Sequence, residues 1–104
     1  MDTRELNRPV YGAIWASYDS AVDVLYLVKD AVPCEGEGFP RGVELDFALS
    51  TGEPTAITVI GYERNGWSNE VGALAQIAAN HLNFDWHFLA KRIEDAVREE
   101  HGIH

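Results

Sequence analysis

The sequence predicts an α+β domain, in which a four-stranded antiparallel meander over residues 10–62 is followed by a pair of helices over residues 68–102. Apolar residues recur with period two before Gly66 and at helical spacing after it, and this change of period separates strands from helices. The length of 104 residues suits a single domain. An apolar sheet face and two apolar helix stripes all need a cover, so we expect both helices to pack on one face of the sheet.

The first two strands are predicted over residues 10–17 and 22–29. Residues 18–21, Tyr-Asp-Ser-Ala, form the turn between them, because Asp and Ser side chains bond nearby backbone amides. The second strand contains VLYLV at residues 24–28, which is apolar at every position. An uninterrupted apolar run of this length indicates a central strand that is covered on both faces.

The third and fourth strands are predicted over residues 43–49 and 55–62, after a loop at residues 30–42. That segment holds two prolines and three glycines, which is typical of a loop. A tight turn at residues 50–53 joins the last two strands. Short connections favour pairing between consecutive strands, so we expect a simple meander.

The two helices follow from capping signals as well as from spacing. The first is predicted over residues 69–82 with Ser68 as its N-cap. Asp85 is expected to cap the second, and Gly102 to stop it.

Composition limits the classes of function. The formal net charge of -9 would repel nucleic acid and suits a basic protein partner. No apolar run approaches the ~20 residues that span a membrane, and the first residues lack the apolar segment of a signal peptide. The single cysteine, Cys34, excludes an intrachain disulfide. We therefore expect a cytoplasmic protein that binds neither nucleic acid nor membrane.

Four short stretches of the predicted strands carry a family resemblance. They are Tyr18-Asp19, Asp23-Val24-Leu25-Tyr26, Gly42-Val43-Glu44-Leu45-Asp46, and Gly52 followed by Ala56-Ile57-Thr58-Val59-Ile60. Over roughly residues 10–62 the chain resembles a family of small bacterial proteins, the domain of unknown function numbered 2283. It departs from the family pattern at Thr58, where an acidic residue is usual, and the two helices extend beyond the family's core.

The resemblance implies a β-meander fold and no catalytic residues, because the family has no established activity. Some of its members look like partners of small toxin-like proteins. The resemblance therefore implies, as one hypothesis, an antitoxin-like role in which the acidic chain binds a small basic toxin.

Three sets of polar residues are candidates for chemistry. Asp19 and Asp23 form a carboxylate pair, but no third group or cleft accompanies them. We therefore interpret Asp19 as a residue that stabilises the turn, and Asp23 as one that ends the turn in solvent. The spacing of His81, Asp85 and His87 matches no standard metal motif. The nucleophilic use of a cysteine needs a positive environment, whereas two glutamates follow Cys34. We expect no catalytic residue, metal or cofactor.

The leading hypothesis is a non-enzymatic interaction module that self-associates as a homodimer. The edges of an open sheet must be covered or paired, and edge pairing or helix packing between two copies would do so. Phe39 in the long loop and Trp67 after a turn are the candidate surface anchors, because aromatic side chains dominate many interfaces.

The alternative is a small ligand-binding or enzymatic domain. Its pocket would lie between the sheet and the helices, near the loop at residues 30–42. The polar groups available to line it are Glu35, Glu37, Arg41 and His87.

Overall fold

The computed structural model describes residues 14–101, which form five strands and two α-helices. The strands are β1 (Trp15–Asp19), β2 (Val24–Val28), β3 (Cys34–Phe39), β4 (Val43–Ala48) and β5 (Pro54–Ile60). The helices are α1 (Val71–Leu82) and α2 (Trp86–Glu100). Short 3-10 turns at Pro40–Gly42 and Trp67–Asn69 precede β4 and α1. The strands form one antiparallel sheet in the order β1-β2-β5-β4-β3.

Both helices pack on the same face of the sheet, with α2 against β1 and α1 against β5. Alternate strand residues point into this layer, where they meet the apolar stripes of the helices. The side chains at its centre have no exposed surface, and they are Leu25, Leu27, Ile57, Val59, Leu74, Leu82, Leu89 and Ile93. The predicted α+β class with helices on one face is therefore confirmed.

The prediction of four strands is wrong, because residues 34–39 of the expected loop form β3. This strand pairs with β4 along its whole length, from Cys34 opposite Ala48 to Phe39 opposite Val43. It lies at the sheet edge, and every one of its residues is exposed. A strand without a buried face carries no period-two apolar pattern, so its Cys-Glu-Gly-Glu-Gly-Phe sequence indicated a loop.

The strand order also differs from the predicted meander. The β4–β5 hairpin is as expected, but β2 pairs with β5 rather than with the strand that follows it. This pairing places Leu25 opposite Val59 and Leu27 opposite Ile57 on the helix-facing side. The most apolar strands thus lie together in the interior, and the Gly-rich β3 occupies an edge.

Several predicted boundaries shift by a few residues. The first turn comes after Asp19 rather than at Tyr18, and residues 10–13 of the predicted first strand lie outside the described residues, as does Gly102. Helix α1 is preceded by Glu70, and Ser68 lies in the 3-10 turn without capping it. The predicted cap of α2 is confirmed, since Asp85 accepts a 2.9 Å hydrogen bond from the Phe88 amide.

Neither of the helices found between residues 14 and 101 has the length and the apolar composition to cross a membrane.

Candidate interaction surfaces

The two predicted turn aspartates have different surroundings. Asp19 accepts one exposed hydrogen bond, from the Ala21 amide at 3.0 Å. Asp23 has φ +60°, and its carboxylate accepts from the Tyr18 hydroxyl at 2.7 Å and from the amides of Glu63 and Arg64 at 2.8 and 3.0 Å. The expectation that Asp23 ends the turn in solvent is wrong, because it joins the β1–β2 corner to the turn after β5.

These hydrogen bonds also fix the ionisation of Asp23. Burial alone would raise its pKa, but the Glu63 amide, the Tyr18 hydroxyl and the Arg64 amide together hold the pKa below its ordinary value. Burial and the same carboxylate raise the pKa of Tyr18. An ionised carboxylate whose two oxygens already accept three hydrogen bonds serves structure.

The sheet face opposite the helices carries a continuous apolar patch. Cross-strand neighbours share a face, and Trp15 lies opposite Val28 while Val24 lies opposite Ile60. Tyr26 is at the centre, between Ser17 and Thr58. We call Trp15, Val24, Tyr26, Val28 and Ile60 the apolar patch.

Two members of the apolar patch are extensively exposed, Trp15 at 57% and Ile60 at 47%. The other three are half-buried by their neighbours on the strands. Strand β2 was predicted to be covered on both faces, and the helices cover only the face of Leu25 and Leu27. Within the described residues, the second face of this strand has no covering layer.

An acidic corner adjoins the apolar patch on the same face. Asp46 is only 6% exposed, and its Oδ2 accepts a 2.9 Å hydrogen bond from the Thr58 hydroxyl. Burial raises the pKa of Asp46, and the nearby carboxylate of Glu44 adds to this, while Thr58 and His81 oppose it.

Trp67 is not at the surface, where we expected it. Its side chain is 3% exposed and belongs to the core, and its Nε1 donates to the Arg41 carbonyl at 2.9 Å. The Arg41 guanidinium lies over the indole, with Cζ 3.8 Å from the ring centroid. It also donates to Glu70 at 2.9 Å and to the Asn65 carbonyl at 2.8 Å. Arg41 thus holds the turn before α1, a structural role.

The four predicted pocket residues lie on separate elements with separate partners. Glu35 and Glu37 are on the exposed edge strand, and Arg41 binds the Trp67 turn. His87 stacks on Trp86 in the first turn of α2, with the ring centroids 3.8 Å apart. The space between sheet and helices is filled by the core, so these side chains do not converge on a pocket there.

The predicted metal candidates are also apart in their contacts. His81 Nε2 lies 3.0 Å from the Asp46 carbonyl, whereas His87 Nδ1 lies 3.9 Å from Asp85, which caps α2. Among residues 14–101 no group of three or more His, Cys, Asp or Glu side chains could hold a metal ion. Cys34 is exposed on the edge strand.

Phe39 is the one predicted anchor that lies at the surface, with 42% of the side chain exposed. Sequence reasoning missed the apolar patch as a unit. Its signal was the outward half of the VLYLV run, but Trp15 and Ile60 join it only through the pairing of β2 with β1 and β5.

The chain matches no protein-family model, no curated protein and no solved structure. The resemblance to the small bacterial family therefore stays a prediction.

Proposed function

We propose that the protein is a non-enzymatic interaction module that forms a homodimer through the apolar patch. The observation that carries the proposal is the sheet face opposite the helices, where Trp15 and Ile60 are exposed beside Tyr26. A sheet with one wet face normally presents polar residues there. A contiguous apolar face that includes aromatic side chains is typical of a protein–protein contact.

A second copy is the occupant that the charges favour. The chain carries a formal net charge of -9, so two copies repel each other unless they meet through an uncharged surface. The apolar patch has no charged member, and Ser17, Thr58 and Ala56 between its residues are neutral. The carboxylates of this face, Asp19 opposite Val24 and Glu44 opposite Thr58, lie at the border of the apolar patch, so the patch itself offers a basic partner no charge contact. Two patches can meet around a two-fold axis and bury each other.

Contact through the sheet face is favoured over edge pairing. The edge strand β3 carries Glu35 and Glu37, both exposed. Antiparallel pairing of two such strands would place like charges opposite or diagonal to each other, which is destabilising. Charged residues on an edge strand oppose this kind of association. The edge contact that we first considered is therefore the weaker route to a dimer.

Sedimentation equilibrium of the full chain tests the proposal. We expect a reversible dimer, and we expect Trp15→Ser and Ile60→Thr each to raise its dissociation constant by about tenfold or more, because each removes an exposed apolar side chain from the contact. Leu49→Ser is the matched control, since Leu49 is 61% exposed but lies outside the apolar patch, and it should leave the constant unchanged. Thermal melts establish that all three variants are folded.

A wild-type protein that stays monomeric at high micromolar concentration would overturn the homodimer. If hydroxyl-radical labelling of that monomer then found Trp15 protected from solvent, another segment of the same chain would cover the apolar patch. Equal weakening by Leu49→Ser and Ile60→Thr would also count against the apolar patch as the contact.

A further inference from the structure

The helix layer leaves part of its own sheet face uncovered. Helix α2 packs against β1 and α1 against β5, and α1 reaches the end of β4 only through His81, whose ring meets Phe47 edge-on. Neither of these helices makes its main contacts with β3. In the described residues, two helices pack on a sheet that is five strands wide. Within residues 14–101, a strip over β3 beside α1 is therefore open, on the face opposite the apolar patch.

A groove of about 230 Å³ runs along this strip. Its floor is Leu45 from β4, and its walls are Phe39 from the edge strand and Ile77 from α1. Asn80 and His81 close one end. Leu45 and Ile77 are partly buried against the core, and Phe39 is 42% exposed. The groove can therefore accommodate one bulky apolar side chain.

Two carboxylates lie beside the apolar groove. Glu37 is opposite Leu45 in the β3–β4 register, and Glu35 is opposite Phe47, so both share the face of the groove. Neither forms an ion pair with another residue in the described part of the chain. The nearby guanidinium of Arg41 is engaged with Glu70 and Trp67. The acidic rim is consequently available to a cation from outside.

We infer that this groove binds a basic amphipathic helix of another protein, laid beside α1 as the third helix of the layer. An apolar side chain of that helix occupies the space between Phe39 and Ile77, and its Lys or Arg side chains meet Glu35 and Glu37. The strip lies beside α1 at the edge of the helix layer, the groove supplies the apolar contact, and the unpaired carboxylates select the charge. This partner surface is distinct from the homodimer contact, because the two lie on opposite faces of the sheet.

The probe is a synthetic amphipathic peptide of Leu and Lys, about five helical turns long, labelled for fluorescence anisotropy. We expect the full chain to bind it with micromolar affinity and to make it helical by circular dichroism. Phe39→Ser should weaken binding about tenfold or more. Glu35→Gln/Glu37→Gln should also weaken it about tenfold and should flatten its dependence on salt.

Charge-matched variants separate a local site from general attraction. Glu53→Gln/Glu94→Gln removes the same number of acidic charges from exposed positions on other elements, and it should leave binding within about twofold. Equal weakening by both double variants, or no effect of Phe39→Ser, would overturn the inference. A bound peptide that is extended and protects the β3 amides from hydrogen exchange would overturn it in favour of strand addition at the edge. Trp15→Ser leaves the groove intact, so it should bind the peptide normally whether or not the chain dimerises.

Discussion

The Tyr18 hydroxyl donates a 2.7 Å hydrogen bond to Oδ1 of Asp23, across the turn that joins β1 to β2. Tyr18 is buried, and its ring meets Tyr62 edge-on at 5.4 Å between centroids. The backbone carbonyl of Asp23 also accepts from the amides of Gly61 and Tyr62. Asp23 therefore links the β1–β2 hairpin, through its carboxylate and its backbone carbonyl, to the segment that follows β5.

Asp23→Ala is expected to destabilise the fold by about 2–4 kcal/mol. The substitution leaves the Tyr18 hydroxyl and two exposed amides without their acceptor, at about 0.5–1 kcal/mol each, and it places alanine at a positive φ that aspartate adopts more readily, at a further cost of about 0.5–1 kcal/mol. Asp19→Ala is the matched control, with a loss below about 1 kcal/mol for its single exposed bond. Urea denaturation measures both, and equal losses would contradict the difference between the two aspartates.

Asp46 and Asp23 should contribute to pH-dependent stability with opposite sign. Because the pKa of Asp46 is raised on folding, its contribution falls as pH rises through its titration. Asp46→Asn keeps an acceptor for Thr58 and should raise the melting temperature at pH 7, with the gain vanishing below about pH 4.

The pKa of Asp23 is lowered on folding, so its contribution is present at neutral pH and is lost in acid. Asp23→Asn should therefore lower the melting temperature at pH 7, and the loss should shrink as pH falls. Melts from pH 3 to pH 8 test both variants, and a constant gap across that range would contradict the assignment for that residue.

Leu25→Asp should prevent folding, because Leu25 has no exposed surface and β2 is hydrogen-bonded on both sides. An aspartate at this position would bury a negative charge, and the surrounding core side chains supply no positive charge to pair with it. Ser17→Asp, on the other face of the sheet, should remain folded. Circular dichroism of the two purified variants tests this prediction. A cooperative melt of Leu25→Asp would show that the position is not essential to the core.

Arg41→Lys should destabilise the fold by about 1–2 kcal/mol although the charge is kept. Lysine cannot reproduce the planar contact over Trp67 or the two bonds to the Asn65 carbonyl. Arg64→Lys is the control, since Arg64 is mostly exposed and makes a 3.7 Å ion pair, and it should cost under about 0.5 kcal/mol. Similar losses in chemical denaturation would show that the stacked geometry is unimportant.

The fold could be predicted where burial imposes a period on the sequence. β4 and both helices each bury one face, so their apolar residues repeat at the strand or helix spacing, while the interior strands β2 and β5 are marked by apolar, β-branched runs. β3 buries nothing, so burial imposes no period on its sequence. It is a strand because it pairs with β4, and the local sequence does not reveal that pairing.

The candidate surfaces could be predicted only in part, for a related reason. The outward half of VLYLV indicated a second cover for β2, but neither Trp15 nor Ile60 could be assigned to it without the strand order. Trp67 was misassigned because its cover, Arg41, lies 26 residues earlier in the chain. Phe39 was found as an exposed aromatic residue, while its neighbour in the groove, Ile77, looked like an ordinary core position.

The place of β5 in the middle of the sheet has a kinetic consequence. β1 with β2 and β3 with β4 and β5 are two local units, and the β2–β5 ladder is the strand pairing that joins them within the sheet. Its residue pairs lie 28 (Val28 to Ala56) to 36 (Val24 to Ile60) positions apart, and closing such a loop costs about 3 kcal/mol of chain entropy. We expect this docking to limit the folding rate, so that Leu27→Ala slows refolding in stopped-flow measurements rather than only speeding unfolding. An unchanged refolding rate would place the barrier elsewhere, whereas a slowed one would show that the β2–β5 ladder is already formed at the transition state and is still intact there when the protein unfolds.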